Sequence, residues 1–338
     1  MAYITLDKQH FFNNLDIIAK QTKSRDKIAL VLKDNAYGHG LCEMASLAKE
    51  YGLTRAVVQF ESEALQIEDF FEYILILADT PKSPNEKFYY TVNELQMIEK
   101  FPPSIQIELK VNTGMNRNGI EMDELEDALV MIQKNDLQLR AIFTHHGCAD
   151  EENGFYEIQK KNFEYLKLKA GELLKKLDMP QIAFHSSNSA ALFREQDCPE
   201  DMARVGIAAY GLLELPFQSE AKKLQAVLAL YASRLSTRKV KKGSCIGYGA
   251  SMMMQEDALV SNYDFGYGSG FLRGCSNTYI TPEGVNLVGR ISMDNASFVS
   301  SLDELLIFND ASQLTKYVDT ISYEILTSLK PHLKRKII

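Results

Sequence analysis

The chain has 338 residues, of which 46% are hydrophobic, and a formal net charge of −8 at pH 7. A chain of this length can bury a large core and form one or two domains. It has no basic excess of the kind that indicates binding to nucleic acid or to an anionic membrane. Its five cysteines are scattered and form no Cys-x-x-Cys pair, which predicts a reducing, cytoplasmic compartment without disulfides or a metal site. The N-terminus has no apolar signal core, and no apolar run is long enough to span a bilayer.

Strand-like apolar runs alternate with amphipathic stretches over the first two thirds of the chain. The clearest amphipathic stretch is 155–177, with Phe163, Leu166 and Ala170 on one face. This alternation predicts parallel βαβ units, and eight strands are the number that closes a (β/α)8 barrel of the TIM type. A doubly wound open sheet is the alternative, but no strand is followed by the GxGxxG of a dinucleotide site. The eight runs are 28–32, 55–60, 73–78, 88–92, 105–109, 139–144, 181–184 and 203–209.

The pattern changes near residues 215–218. Beyond them, alternating segments and turns dominate, and helical periodicity is weak until 317–329. We therefore predict a barrel domain over 8–220 and a mostly β domain over 221–338. The strand at 1–7 precedes the first barrel helix and has no partner in the barrel, so we expect it to join the β domain.

The most informative stretch is KIALVLKDNAYGHG, residues 27–40. Its apolar run ends at Leu32, and Lys33 follows directly. A lysine at the mouth of a buried strand is costly unless it has a partner or a function. Burial lowers the pKa of a lysine, and a neutral amine can form a Schiff base with an aldehyde cofactor. In the alternative interpretation, the side chain simply extends from the strand end into solvent.

Ionisable side chains also follow several of the other predicted strands. In a barrel, residues at the carboxyl ends of the strands form one site. Each of them alone could be a hydrogen-bonded or ion-paired structural residue, but their convergence on one face favours an anionic ligand. They are Lys110, Arg117, His145, His146, His185 and Arg204.

Two further stretches predict a phosphate site. Ser189, in HSSNSAA, lies where a helix should start, so its hydroxyl and free backbone N–H groups could bind an anion. Gly206 lets the backbone approach a ligand closely in the segment 204–207. A lysine able to form a Schiff base, together with a phosphate cradle, indicates pyridoxal 5'-phosphate (PLP) as the cofactor.

With these residues identified, nearly the whole chain resembles the alanine racemases, PLP-dependent enzymes of fold type III. The resemblance implies a homodimer that interconverts L- and D-alanine and supplies D-alanine for cell-wall peptidoglycan. A racemase of serine or another small amino acid is one alternative. A fold-type III amino-acid decarboxylase is another, with Cys275 as the candidate for the cysteine that such an enzyme carries. The matching segments are VLKDNAYGHG, ELKVNTGMNRNG, THHGCADE, HSSNSAA, ARVGIAAYG, IGYGAS, FGYGSGFLR and VGRISMDN.

The resemblance implies two opposing catalytic bases. Lys33 carries the PLP and is one base, and Tyr248 of IGYG is the other. His145 forms a hydrogen bond near Tyr248, and Arg117 stabilises Tyr248 and contacts the substrate carboxylate. Because Lys33 lies in the barrel and Tyr248 in the β domain, Tyr248 is expected to come from the partner subunit of a head-to-tail homodimer. The alternative is that Tyr248 reaches the barrel of its own chain.

The other matched residues are implied to bind cofactor or substrate. Arg204 faces the pyridine nitrogen and is supported by His185. Lys110 matches a lysine that is often carbamylated in the family and orients Arg117. The remaining residues are Tyr37, Asn188, Ser189, Gly206 and Ile207 toward the cofactor, and Met293 and Tyr267 toward the substrate.

The chain departs from the family pattern at several positions. Asp34 stands where alanine is common, and Asn112 where aspartate is usual. The C-terminal LKPHLKRKII does not show the tyrosine that contacts the phosphate in the family, and Ile337 falls near its place. The other departures are His146 and Gly147, which replace a more apolar pair, and Ser292, where cysteine is frequent.

Overall fold

Eight parallel strands form a nearly closed barrel in the computed structural model, which describes residues 1–338, and a mostly β domain follows it. The strands are β1 (Tyr3–Leu6), β2 (Ile28–Val31), β3 (Arg55–Val58), β4 (Tyr73–Ile76), β5 (Phe88–Val92), β6 (Gln106–Lys110), β7 (Gln138–Phe143), β8 (Ala183–His185), β9 (Ala203–Val205), β10 (Leu228–Val240), β11 (Cys245–Ile246), β12 (Met252–Met253), β13 (Ala258–Tyr263), β14 (Ala296–Val299), β15 (Glu304–Phe308) and β16 (Lys334–Ile337). The α-helices are α1 (Lys8–Thr22), α2 (Leu41–Tyr51), α3 (Glu61–Ile67), α4 (Leu125–Lys134), α5 (Phe155–Lys176), α6 (Ser189–Glu195), α7 (Ser312–Thr315) and α8 (Ser322–Ser328).

The barrel confirms the predicted fold class. Its strands pair in parallel in the order β9, β2, β3, β4, β5, β6, β7, β8. The two ends of this sheet meet through a single bridge between Asn188 and Arg204. Because all eight strands run the same way, their carboxyl ends open onto one face, where a barrel enzyme builds its site. None of the helices combines the length and hydrophobicity needed to cross a bilayer.

The connections are less regular than an ideal barrel. No α-helix joins β4 to β5, and only a 3-10 helix at Leu95–Lys100 lies between β5 and β6. Proline explains both cases, because Pro81 and Pro84 interrupt the first connection and Pro102 with Pro103 follow the second. The last barrel strand is also shorter than predicted, since residues 206–211 fold into a turn instead of extending it.

Amphipathic patterning explains the helix that the sequence predicted most clearly. Helix α5 runs from Phe155 to Lys176 and buries Phe163, Leu166 and Ala170 on the face identified from the sequence. Burying such a stripe against the neighbouring elements provides most of the stability of a helix in a folded protein.

In the second domain, the N-terminal strand lies within the sheet. β1 pairs antiparallel with β10 and parallel with β16. β10 also pairs antiparallel with β15 over residues 230–233 and with β13 over residues 234–240. Within the predicted β domain, residues 284–292 form no continuous strand and make only isolated bridges. The domain limits at 8–220 and 221–338 stay a prediction.

A left-handed turn connects the first barrel strand to the rest of the site. Residues 34–37 all have φ between 50° and 55°, although none of them is glycine. Each non-glycine residue in this region costs roughly 1–2 kcal/mol. The Asn35 side chain stabilises the turn by accepting a hydrogen bond from the N–H of Leu41 at 2.9 Å. Helix α8 packs directly against the end of the turn at Gly38, where a Cβ would lie 2.0 Å from the carbonyl oxygen of Leu326.

Gly38→Ala should therefore destabilise the protein more than a glycine substitution that meets only backbone strain. Gly52 is the matched control, because it has φ +98° and open space around it, whereas Gly38 has φ +75° and the Leu326 carbonyl against it. We expect Gly52→Ala to lower the free energy of unfolding by about 1 kcal/mol, and Gly38→Ala by about 3 kcal/mol or more. Urea unfolding of both variants measures the difference. Equal losses of unfolding free energy in the two variants would mean that α8 shifts to accommodate the added methyl group without further destabilisation.

Candidate active site

A cavity of about 560 Å³ opens at the carboxyl ends of the barrel strands. It brings together most of the site residues predicted from the sequence, although they are far apart along the chain. His185 lies behind the cavity, in contact with Arg204. The predicted residues that line it are Lys33, Tyr37, Lys110, Arg117, His145, His146, Asn188, Ser189, Arg204, Gly206 and Ile207.

Lys33 lies just beyond the end of β2 with its amine accessible from the cavity. Its side chain is 32% exposed, and its ionic contact is with Asp34, at 3.6 Å from Nζ to Oδ2. The Asp34 side chain is half exposed, and an ion pair that is open to water holds a lysine only weakly. The amine is thus available to a ligand that enters the cavity.

Hydrogen-bond donors on one wall form a cradle for an anion. The Ser189 hydroxyl accepts the N–H groups of Gly206 at 3.2 Å and Ala208 at 3.4 Å, which leaves its own proton free to donate. A Cβ on Gly206 would come within 2.8 Å of the Tyr37 hydroxyl, so only glycine allows this approach. The N–H of buried Ile207 donates no hydrogen bond within the chain. Burial raises the pKa of Tyr37, so its hydroxyl stays a donor.

Asn188 has a local structural role beside this cradle. Its side-chain oxygen accepts the N–H of Ala191 at 2.9 Å and so caps α6. Its amide nitrogen donates to the carbonyl of His146 at 3.0 Å. Both ends of the side chain are therefore engaged within the protein, and Asn188 orients the start of the helix that carries Ser189.

Tyr323 is a cavity residue that the sequence analysis missed. It lies on α8, lines the cavity, and has its ring centroid 5.6 Å from that of Tyr37. The segment LKPHLKRKII has no tyrosine, but the expectation that Ile337 falls near the place of the phosphate-contacting tyrosine was wrong. Ile337 pairs with Leu6 in the sheet of the second domain instead. No local sequence pattern predicts that Tyr323 reaches the cavity, because its position depends on α8 packing over the left-handed turn.

Arg204 is buried and held from several sides. One terminal nitrogen, Nη1, contacts Nδ1 of His185, and the other, Nη2, donates to the carbonyls of Thr144 at 2.8 Å and Ser186 at 3.2 Å. The guanidinium also lies over the ring of Phe143, 5.1 Å from its centroid. Burial lowers the pKa of Arg204 to about 10, so the group remains cationic at neutral pH. Its Nε–H makes no hydrogen bond within the chain.

Behind His185 lies a buried acid that the sequence analysis did not single out. Glu108 Oε2 is 2.8 Å from Nε2 of His185, and Glu108 Oε1 accepts the hydroxyl of Tyr73 at 2.5 Å. Glu108 is almost fully buried inside β6. A charged residue within an apolar strand run was the available signal, since a buried carboxylate requires partners.

The cavity is electropositive. Lys110 is buried, and burial together with the charges of Arg117 and Arg204 lowers its pKa to about 8. Burial and the same two arginines also lower the pKa of His145 well below its ordinary value, so His145 is neutral at neutral pH. These groups repel one another, and an anionic ligand would relieve the repulsion.

Three predicted residues of the β domain do not reach the cavity of their own chain. Tyr248 is 69% exposed, Met293 56% and Tyr267 42%. Tyr267 and Met293 lie close together, because the N–H of Gly268 donates to the carbonyl of Met293 at 2.7 Å. None of the three lines the barrel cavity. A single chain therefore assembles the barrel half of the predicted site only.

Cys275 does not suit the role of a thiol donor at the site. It is fully buried in the second domain, does not line the cavity, and burial raises its pKa to about 12. The feature that favoured a decarboxylase is therefore absent from the cavity.

Comparison with known proteins identifies the family. The sequence profile described as alanine racemase, N-terminal domain, matches residues 6–214, and that of the alanine racemase C-terminal domain matches residues 227–337. A relative from a Nitratiruptor species, named alanine racemase, is 41% identical over 335 residues, which cover 99% of each chain. The chain belongs to the alanine racemase family. It is thus an enzyme of the isomerase class.

Solved structures share the architecture of this family member. A crystal structure of alanine racemase from Bacillus anthracis with bound L-Ala-P has a TM-score of 0.86 and 27% identity, and the match covers 100% of this chain and 95% of that one. A histidine racemase from Leuconostoc mesenteroides has a TM-score of 0.85 at 23% identity, covering 100% of this chain and 98% of that one. The second likeness concerns the fold alone. Proteins named for different substrates therefore share this fold.

Proposed function

We propose that this protein interconverts L- and D-alanine with pyridoxal 5'-phosphate bound in the barrel cavity, and that it supplies D-alanine for cell-wall peptidoglycan. One observation carries the proposal: a single cavity presents the accessible amine of Lys33, the donor cradle around Ser189 and Gly206, and the guanidinium of Arg204. Membership of the alanine racemase family supports the choice of reaction. The cytoplasmic location stays a prediction from the sequence.

The residues present fit this cofactor. Lys33 would hold it covalently through Nζ, and Tyr37, Ser189 and Ile207 would bind its phosphate through the free donors described above. Tyr323 lies beside Tyr37 and would add a further hydroxyl. Arg204 would direct its Nε–H toward the ring nitrogen. Because arginine stays protonated, that nitrogen would stay unprotonated.

Racemisation requires a proton to leave Cα on one face of the substrate and to return on the other. When bound, PLP would supply an electron sink for the negative charge that remains at Cα. Lys33 would exchange the Cα proton on the barrel side as a neutral amine. Tyr248 would exchange it on the opposite side, and the cations of the cavity would stabilise the negative charge on its oxygen. Arg117 would bind the substrate carboxylate.

We infer that a second copy of the chain supplies Tyr248. Tyr248, Met293 and Tyr267 are exposed on the β domain and lie outside the cavity of their own chain. An exposed group of large apolar side chains is typical of a surface that another protein covers. A head-to-tail homodimer would bring Tyr248 of the partner subunit to the cavity that holds Lys33.

Trapping the cofactor tests the proposed function. Sodium borohydride should reduce the covalent link to the cofactor and leave a stable pyridoxyl label on Lys33, located by peptide mass spectrometry. Lys110 is the internal control, because it is a second lysine in the same cavity. Chiral chromatography should show conversion of L-alanine in preference to L-serine, L-lysine and L-histidine, with activity lost in Lys33→Ala. A label on Lys110, or no conversion of L-alanine, would contradict the proposal.

Mixing two inactive variants tests the shared site. Lys33→Ala and Tyr248→Phe should each lack activity. Unfolding and refolding them together should restore about a quarter of the wild-type activity, since half of the dimers are mixed and one of their two sites is intact. Each variant refolded alone is the control. If activity does not return in the mixture, Tyr248 acts within its own chain.

Lys110 is a candidate for carbamylation. Its lowered pKa of about 8 leaves part of the amine neutral at physiological pH. The neutral nitrogen can form a bond to carbon dioxide, releasing a proton and giving an anion that would pair with Arg117. In 13C-labelled bicarbonate, the protein should show a carbamate carbon signal above pH 8, and the signal should fade as the pH drops below 8 and the amine protonates. Lys110→Arg should lack it. A signal that persists in that variant would exclude Lys110.

A further inference from the structure

A buried chain of polar groups runs from Tyr73 through Glu108 and His185 to Arg204. We propose that Glu108 is a positioning residue, which fixes His185 as the tautomer with its proton on Nε2 and thereby orients the guanidinium of Arg204 toward the cavity. The sequence motifs imply no such role for Glu108. The three contacts that carry the proposal are Tyr73 to Glu108, Glu108 to His185, and His185 to Arg204.

The tautomer follows from what each group can donate. A guanidinium has only N–H donors, so Nδ1 of His185 can contact Nη1 of Arg204 only as a bare acceptor. The proton of a neutral imidazole must then lie on Nε2, where Glu108 Oε2 accepts it at 2.8 Å. A cationic imidazole would turn an N–H toward Arg204. Burial lowers the pKa of His185, in agreement with a neutral ring.

The carboxylate is suited to this task because its own position is fixed. Tyr73 donates to its other oxygen at 2.5 Å, so both carboxylate oxygens are engaged. Glu108 is 2% exposed and His185 1% exposed, so the contact between them is buried. The ring of His185 is also stacked on Phe143, at 4.8 Å between centroids. The imidazole is thus held in its plane while Glu108 decides which nitrogen carries the proton.

The tautomer of His185 affects the cavity because His185 contacts Arg204, which lines it. Arg204 donates one Nη1 proton to Nδ1 of His185 and its Nη2 protons to the carbonyls of Thr144 and Ser186. The Nε–H and the second Nη1 proton make no hydrogen bond within the chain and are free for a ligand. If His185 adopted the other tautomer, its Nδ1–H would face an Arg204 N–H and displace the guanidinium. The identity of this ligand as the cofactor ring rests on the proposed function, whereas the tautomer of His185 follows from the contacts within the chain.

Nitrogen NMR of the cofactor-free protein tests the tautomer directly. The chain has six histidines, and 15N labelling of their rings separates neutral Nε2–H, neutral Nδ1–H and cationic forms by chemical shift. His185→Gln identifies the signals of His185 by their loss. We expect the Nε2–H pattern in the wild type. A cationic ring or an Nδ1–H pattern would overturn the proposal without any variant of Glu108.

Two substitutions at position 108 then separate the effect of the hydrogen-bond acceptor from the effect of its negative charge. Glu108→Met removes the acceptor at similar length, and the His185 shifts should move toward an average of the two tautomers. The affinity for PLP, measured by fluorescence titration of the cofactor-free protein, should fall roughly tenfold or more. Glu108→Gln keeps an oxygen acceptor and should retain the Nε2–H pattern, with an affinity within about threefold of the wild type.

The outcomes distinguish this inference from the proposed function. Unchanged His185 shifts in Glu108→Met would overturn the positioning role, because the tautomer would then be fixed without Glu108. Loss of the pattern in Glu108→Gln would overturn the acceptor argument. A wild type that shows the expected tautomer but does not bind PLP would refute the cofactor and leave the role of Glu108 intact. Thermal melting of each variant verifies that it is folded.

Discussion

Several cationic side chains repel one another within one cavity, and the chemistry of the site depends on this repulsion. Lys33, Lys110, Arg117 and Arg204 all line one cavity, although the chain as a whole is acidic. Burial and this repulsion lower the pKa of Lys110 to about 8. A positive charge is held permanently only at arginine, whereas a lysine in the same field can become a neutral, reactive amine. The cavity therefore combines the permanent positive charge of Arg117 and Arg204 with a buried amine at Lys110 that is partly neutral near pH 8.

The left-handed turn at 34–37 provides the geometry that this chemistry needs. It follows Lys33 immediately and places Tyr37 against Gly206, so one short segment connects the amine of Lys33 to the anion cradle. Several strained residues in a row persist only where the surroundings fix them. Here Asn35, the approach of α8 at Gly38 and the tilted ring contact between Tyr37 and Tyr210 supply that support. The second domain thus stabilises a barrel loop that contains part of the site.

Local sequence patterns predicted the barrel and the ionisable residues at its strand ends, and the family resemblance added Tyr37, Asn188 and Ile207. Each strand run has the length and composition of a buried strand, and each motif residue stands next to the strand that positions it. The features that were missed depend on contacts distant in sequence. Tyr323 reaches the cavity only because α8 folds over Gly38, and Glu108 meets His185 only because β6 and β8 both face the barrel interior. No helix forms between β4 and β5 because Pro81 and Pro84 interrupt the connection, and hydrophobic periodicity alone does not take proline into account.

The pairing of β1 has a consequence for folding during synthesis. β1 is made first, yet its partners β10 and β16 begin at Leu228 and Lys334. The barrel strands all leave the ribosome before either partner does, so the barrel can form while β1 still has two unpaired edges. Free edges of this kind invite association with other chains. A nascent chain of this protein therefore passes through a long interval in which its first four-residue strand is the segment most exposed to mispairing.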